Sequence, residues 1–173
     1  MLIISRCGLF GKGVFLTIGA ERSIILSRKV LKDMEQLKEI YRTYEQELVA
    51  VLQNAKPLAG WFGISNDDPR NAPCHQKFYD AVGNWVSAFA QENPPADQAE
   101  NAVLWILSAA AGNRKKPSYW YYLATQGYVK QLLPFLGKDR CSDLVKWYDK
   151  TYPRRERLPV NDELYSQMKK NAK

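Results

Sequence analysis

The sequence has very little of the chemistry that most enzymes use. It contains one histidine, His75, among 173 residues, which excludes a metal site built from several histidines. Its three cysteines, Cys7, Cys74 and Cys141, include no Cys-x-x-Cys pair, which argues against a disulfide framework and favours a reducing cytoplasm. We therefore expect neither a bound metal nor a cofactor.

Catalytic and phosphate-binding motifs are missing as well. Residues 8–13 resemble a phosphate-binding loop, but the glycine spacing is wrong and no Ser or Thr follows the lysine. No nucleophile elbow, zinc-protease helix or calcium loop occurs in the chain. Cys74 and His75 are neighbours, so on a helix they point about 100° apart and do not form a nucleophile and base pair. The sequence predicts no catalytic residue, and an enzyme is the less favoured class.

Long apolar runs are also absent, since no window approaches the roughly 18 consecutive apolar residues of a membrane-spanning helix. We expect no contact with a membrane and a cytoplasmic location. The formal net charge is +7, but residues 1–33 hold six basic and two acidic side chains, so more than half of the excess lies there. The charge of the remaining chain is ordinary for a helical protein.

The N-terminal segment, residues 1–33, differs in composition from the rest. Glycines surround two short β-prone runs at 14–18 and 23–26, which predicts an irregular or hairpin-like extension, with disorder as the alternative. A further hypothesis is that the natural product begins at Met34 and that this extension reflects an upstream start. Residues 34–173 are predicted to form a single all-helical domain.

Apolar residues at helical spacing predict an all-α bundle of five or six helices. The first seam ends near Asn54, and the second stripe ends at Pro94. Residues 118–136 are apolar on nearly every side, so we expect them to form a central helix enclosed by the others, with a close crossing at Gly127. The seam comprises Val30, Met34, Leu37, Tyr41, Tyr44, Leu48 and Val51, and the stripe comprises Cys74, Phe78, Val82, Trp85 and Phe89.

Two small groups are candidates for a site in the first half of the chain. His75, near the start of the second helix, is predicted to partner Tyr79 one turn on or the acidic loop at 67–68, which would make a polar site. Cys74 and Cys141 lie on apolar stripes and are expected to be buried and structural. The aromatics in the loop of residues 58–72, Trp61 and Phe62, are candidates for contact with a partner protein.

A basic link precedes the central helix and is the first candidate for anion binding. Arg114, Lys115 and Lys116 stand just before Ser118, which is predicted to cap the helix. Free backbone N–H groups and the positive end of the helix dipole would favour an anion there, and the aromatics of residues 119–122 would add stacking. The simpler alternative is a solvated turn above core aromatics.

The second candidate is an arginine-rich connector after the fifth helix. Arg154, Arg155 and Arg157 lie in an extended segment, and the planar guanidinium suits phosphate or the carboxylates of a protein partner. The simpler alternative is a surface loop that is paired with Glu156 or other nearby acids.

Three segments carry a resemblance to a known group of proteins. Residues 73–75 (PCH), 117–127 (PSYWYYLATQG) and 152–160 (YPRRERLPV) resemble an uncharacterised family of small all-helical bacterial proteins, over residues 34–170. The resemblance implies the helical fold and no particular mechanism.

Together these patterns predict a small helical binding or regulatory protein that acts through protein–protein interaction. The alternative is sequence-independent binding of nucleic acid or another polyanion through the clusters at 114–116 and 154–157. The sequence does not indicate an oligomeric state.

Overall fold

The structure is a computed structural model that describes the backbone of residues 12–54 and 72–173 and the side chains of residues 32–53 and 72–173. Within these ranges every regular element is helical, so the predicted all-α class is confirmed. None of the helices described there combines the length and apolar character needed to cross a membrane. The α-helices are α1 (Lys12–Asn54), α2 (Ala72–Gln91), α3 (Ala96–Ala111), α4 (Tyr119–Thr125), α5 (Lys138–Thr151) and α6 (Pro159–Asn171).

Helix α1 begins much earlier than the sequence pattern predicts. Residues 14–18 and 23–26 lie within α1, so the prediction of an irregular or hairpin-like segment is wrong for residues 12–33. No proline occurs before Pro57, so every residue of α1 keeps the backbone N–H that a helix requires. Residues 1–11 lie outside the described part of the chain. The chain divides into two compact units between Glu35 and Gln36.

The stripe of α2 is buried as predicted, whereas the seam of α1 is buried only in its middle. Met34 and Val51 are half-buried, and the side chain of Val30 lies outside the described residues. Along α1 the buried seam runs from Leu37 to Leu48, and α2 ends at Gln91, just before Pro94. The hydroxyl groups of Tyr41 and Thr125 lie 3.0 Å apart and link α1 to α4. The buried side chains of the two helices are Leu37, Tyr41, Tyr44, Leu48, Cys74, Phe78, Val82, Trp85 and Phe89.

The segment 118–136 is helical but is not one continuous α-helix. Helix α4 gives way to a 3₁₀ segment at Gln126–Gln131 and a second at Leu133–Phe135. Two features favour this tightening: Pro134 has no N–H for an α-helical hydrogen bond, and Gly127 lies against α6, where an added Cβ would be 2.5 Å from Val160 Cγ2. The predicted close crossing at Gly127 is confirmed.

A network of buried side-chain amides and phenols, which we call the amide network, joins α3, α5, α6 and the first 3₁₀ segment. Gln126 donates to the carbonyl oxygen of Leu107 at 3.1 Å and accepts from the Tyr148 hydroxyl at 2.9 Å and from Asn161 at 3.1 Å. The Tyr152 hydroxyl donates to the same Leu107 oxygen at 2.7 Å. The network fixes the end of α5 relative to α3, and therefore the segments that follow each of them. Its members are Gln126, Tyr148, Tyr152 and Asn161.

Candidate functional site

The link between α3 and α4 is held against the end of α5 by Arg114. Its guanidinium donates a hydrogen bond to the carbonyl oxygen of Thr151, which is 37 residues away in the chain. The same group lies 3.5 Å from a carboxylate oxygen of Glu156 and 5.6 Å from the centre of the Tyr152 ring. These contacts bring together two segments that the sequence pattern treated separately.

Arg114 therefore places the two predicted basic clusters next to each other. We call Arg114, Lys115, Lys116, Arg154 and Arg155 together the basic patch. All five side chains are exposed. Arg114 and Lys116 each face one carboxylate, whereas the other three form no ion pair with any side chain in the described ranges. Three of the five positive charges of the patch thus form no ion pair with the side chains that the structure describes.

Next to this patch, Trp120 exposes 44% of its surface. Of the four aromatics at 119–122, Tyr119 and Tyr122 are buried. Tyr119 packs edge-on against Trp120 with the ring centres 5.1 Å apart, and its backbone N–H donates to the Lys116 carbonyl at 3.1 Å. The exposed indole is therefore tied to the link that carries the basic residues.

Near Ser118, where the sequence predicted an external anion, lies a carboxylate of the protein itself. Ser118 is fully buried and makes no side-chain cap, so the capping prediction is wrong. Its hydroxyl instead donates to Glu45 of α1, and the Tyr122 hydroxyl donates to the same carboxylate oxygen. Burial and then this bond to Glu45 raise the pKa of Tyr122. Lys116 Nζ lies 3.9 Å from the other Glu45 oxygen.

Arg157 does not belong to the basic patch, because its side chain is only 5% exposed. It donates to Asp149 and to the Tyr152 carbonyl oxygen, both at 2.8 Å, and lies 4.3 Å from the centre of the Tyr165 ring. Hydrogen bonds from Tyr165 and then Arg157 hold the pKa of Asp149 below its usual range. The predicted role of Arg157 in anion binding does not fit this internal use of its donors.

His75 lies in a group of rings that we call the histidine cluster, defined as Tyr44, His75, Phe78 and Tyr121, of which all but the half-buried Tyr121 are buried. Its Nδ1 is 3.2 Å from the Tyr44 hydroxyl, and its ring stacks on Tyr121 with centres 3.5 Å apart. The ring is only 6% exposed, and its Nε2 has no hydrogen-bond partner among the described residues. Burial lowers the pKa of His75, which keeps the imidazole neutral.

The predicted polar pair of His75 and Tyr79 is not formed. Tyr79 contacts the rings of Phe78 and Tyr121 but makes no hydrogen bond to His75. The alternative partner, the loop at 67–68, lies outside the described residues. The structure shows no group of three or more metal-ligating side chains in the ranges that it describes.

The cysteines and the loop aromatics complete the predicted candidates. Cys74 and Cys141 are buried and free, as predicted, and burial raises the pKa of both thiols. This state gives little thiolate and no reactive nucleophile. Trp61 and Phe62, predicted to contact a partner, fall outside the part of the chain that the structure describes, as does Cys7.

Two functional features were missed by sequence reasoning, namely the role of Glu45 and the exposure of Trp120. Glu45 directly follows Tyr44 on the apolar seam of α1, and this position at the edge of a buried stripe was the signal that could have found it. Trp120 was one of four adjacent aromatics, and periodicity alone does not show which one faces solvent.

Comparison of the chain with family models, curated proteins and solved structures finds no match. The resemblance of residues 34–170 to an uncharacterised bacterial helical family stays a prediction.

Proposed function

We propose that the chain is a small helical binding protein and that its basic patch, together with Trp120, contacts single-stranded nucleic acid without sequence preference. The observation that carries this proposal is the contact of Arg114 with Thr151 and Glu156, which brings the segments 114–116 and 154–155 together near an exposed indole. Cationic grooves with aromatic side chains are the usual means by which proteins hold single strands.

The charge of the patch supports a phosphate ligand. Lys115, Arg154 and Arg155 have no counter-charge among the described side chains, so binding an anion breaks no ion pair of theirs. Arg114 and Lys116 face one carboxylate each, so they contribute less to the binding of an anion. Each phosphate that is neutralised lowers the logarithmic slope of binding against salt by about 0.7 on single strands, so the patch predicts a slope of about −2 to −3.

Trp120 supports a single strand over a duplex. A base can stack on an exposed indole only when it is not stacked within a helix, and such stacking contributes about 1–3 kcal/mol per base. A simple polyanion without bases should therefore bind more weakly than a single-stranded oligonucleotide of equal charge.

The test is fluorescence anisotropy of a labelled random-sequence single-stranded oligonucleotide with the full chain. Replacing Arg154 and Arg155 by Glu should weaken binding by about tenfold or more. The matched control replaces Lys138 and Lys170 by Glu, which changes the net charge equally. Lys138 is the first residue of α5, about 20 Å from Thr151 at its other end. Lys170 lies near the end of α6, about 15 Å along the helix from Val160.

Equal loss of affinity in both pairs would refute the assignment, because general charge and not the patch would then drive binding. Trp120→Ala should lower the affinity for the oligonucleotide about fivefold or more and leave the affinity for polyphosphate unchanged. Absence of oligonucleotide binding at low salt would refute the proposal outright.

Protein–protein interaction is our second proposal, and a depression between α1 and α2 supports it. The depression has a volume of about 260 Å³, and its floor is formed by Ile40, Tyr44, Phe78 and Ala81. An apolar side chain of a partner protein would fit it. Crosslinking in host lysate should yield a protein that is captured by the wild type, lost with Ala81→Arg and retained when Arg154 and Arg155 are replaced by Glu.

The same crosslinking applied to the variant with Trp61→Ala and Phe62→Ala tests whether these aromatics contact that partner. We also propose a cytoplasmic location, which the two free, buried thiols support.

A further inference from the structure

A groove with a volume of about 530 Å³ lies where α2, the first 3₁₀ segment and α6 meet. Tyr79 of α2 forms one wall, Val160 of α6 forms another, and Tyr128 belongs to the 3₁₀ segment between them. Ala124 and Gly127 contribute an apolar floor. The groove shares no lining residue with the basic patch or with the depression between α1 and α2.

Two glycines allow the groove to exist. A Cβ added at Gly83 would lie 2.9 Å from Cε1 of Tyr128, so glycine there lets the Tyr128 ring rest directly on α2. A Cβ added at Gly127 would lie 2.5 Å from Val160, so glycine there brings α6 close and leaves the floor without a side chain. Both substitutions would force the walls to move.

The polar groups around the groove are mainly hydrogen-bond donors. Ser87 donates to Gln131 Oε1 at 3.0 Å, which leaves the amide N–H groups of Gln131 free to donate. The hydroxyl groups of Tyr79 and Tyr128 make no hydrogen bond to any side chain that the structure describes. Burial raises the pKa of Tyr79, so its hydroxyl keeps its proton and can donate.

One positive charge stands beside these donors. Lys130 lines the groove, and its Nζ is 2.8 Å from Glu163. Glu163 is 69% exposed, so the ion pair is screened by water and can be replaced by another carboxylate. An ammonium group with phenol and amide donors complements an anionic ligand head.

From this geometry we propose that the groove binds a small organic carboxylate with a flat apolar body. The carboxylate accepts from Lys130, Gln131 and a tyrosine hydroxyl, and the apolar body lies over Ala124 and Gly127. The volume lies within the range of about 300–1,000 Å³ that is usual for small-molecule sites. The inference is independent of nucleic-acid binding.

The test titrates ¹⁵N-labelled full-length protein with naphthalene-2-carboxylate and follows backbone amide shifts. We expect saturable shifts confined to Tyr79, residues 124–131 and Val160. Lys130→Met should raise the dissociation constant about tenfold, because a hydrogen bond to a charged group is lost. Lys146→Met is the matched control, since it also removes one lysine and one surface ion pair, with Asp143 at 2.9 Å, and should leave affinity unchanged.

A second variant separates the donors from the charge. The double variant Tyr79→Phe with Tyr128→Phe keeps both rings. It should lower the affinity for the carboxylate by about fivefold or more and leave the circular dichroism spectrum unchanged. Naphthalene-2-methanol, which lacks the charge, should bind at least about tenfold more weakly than the carboxylate. Equal binding of the two probes, shifts centred elsewhere, or no saturable binding at millimolar concentration would each overturn the proposal.

Discussion

The amide network and the histidine cluster are two buried polar groups that differ in how completely their atoms are paired. Gln126 is fully buried, and its amide is engaged as both donor and acceptor, while Asn161 also donates to the Leu123 carbonyl at 3.0 Å. His75 is almost as buried, yet its Nε2 has no hydrogen-bond partner within residues 32–53 and 72–173. A buried polar atom without a partner costs about 1–3 kcal/mol, so the histidine cluster carries a cost that the amide network does not.

This difference in hydrogen bonding means that the amide network holds several helices together, whereas the histidine cluster is buried without full pairing. The amide network joins four elements through atoms that all have partners, so losing one member disturbs several contacts at once. His75 instead gains from ring stacking and from one bond to Tyr44, and these contacts offset its unpaired nitrogen. Substitutions should therefore cost more in the first group than in the second.

The largest effect is expected for Gln126→Leu, which removes the centre of the amide network. The Tyr148 hydroxyl would be left buried without a hydrogen-bond acceptor, and the Asn161 amide would lose one of its two acceptors. The free energy of unfolding should therefore fall by about 3 kcal/mol. Urea denaturation measures it. Gln131→Leu, the same change at an exposed position of the same segment, should cost less than about 0.5 kcal/mol. A loss below about 1 kcal/mol for Gln126→Leu would contradict the comparison.

Gly127→Ala should come second, because its Cβ would lie 2.5 Å from Val160 directly beside the network. We expect a loss of about 2 kcal/mol from displacement of α6. Adding Val160→Ala should recover a large part of it, which thermal denaturation of the single and double variants would reveal. Gly112→Ala is the matched control. Nothing lies within 4 Å of a Cβ added at Gly112, so the stability of this variant should not fall below that of the wild type. Failure of Val160→Ala to rescue would mean that the clash is not the cause.

A smaller effect is expected for Glu45→Gln, next to the histidine cluster. The amide keeps an acceptor for Ser118 and Tyr122 but removes the charge that strengthens these bonds and attracts Lys116. The loss should be about 1 kcal/mol by urea denaturation. Glu39→Gln, at a residue that is 57% exposed, should change stability by less than about 0.5 kcal/mol. Equal losses would show that the Glu45 bonds are no stronger than a surface ion pair.

Periodicity predicted the helices and much of the core but not the contacts between distant segments. The seam of α1 and the stripe of α2 follow from apolar spacing, whereas the union of residues 114–116 with 154–155 depends on the bond from Arg114 to Thr151. Such a bond leaves no local pattern in the sequence. An irregular or hairpin-like extension at residues 1–33 was predicted from β-prone runs. Residues 12–33 form a helix instead, because propensity is only a weak guide.

The partners of Ser118 and His75 were missed for a related reason. Both were predicted to interact with their own helix or a neighbouring loop, since these are the only partners that spacing reveals. The structure gives them Glu45 and Tyr44, two adjacent residues of α1. Buried polar residues choose partners across elements, and a single sequence contains no record of that choice.

The smallest predicted effect concerns pH and uses the fact that His75 is the only histidine. Burial lowers its pKa in the folded state, so the unfolded chain binds the proton first as the pH falls. Stability should therefore decrease from about pH 7.5 to pH 5.5, through the ordinary histidine pKa of about 6.5, by more in the wild type than in His75→Gln. Urea denaturation at several pH values gives the difference.

Tyr44→Phe is the control for this pH dependence, because it removes the bond to Nδ1 but leaves the imidazole buried. Since burial is the cause of the lowered pKa, the Tyr44→Phe protein should keep the pH dependence of the wild type while losing some stability at every pH. Parallel curves for the wild type and His75→Gln would mean that the imidazole is not held neutral. Burial of a neutral imidazole would then no longer distinguish the histidine cluster from the amide network, which has no group that titrates near neutral pH.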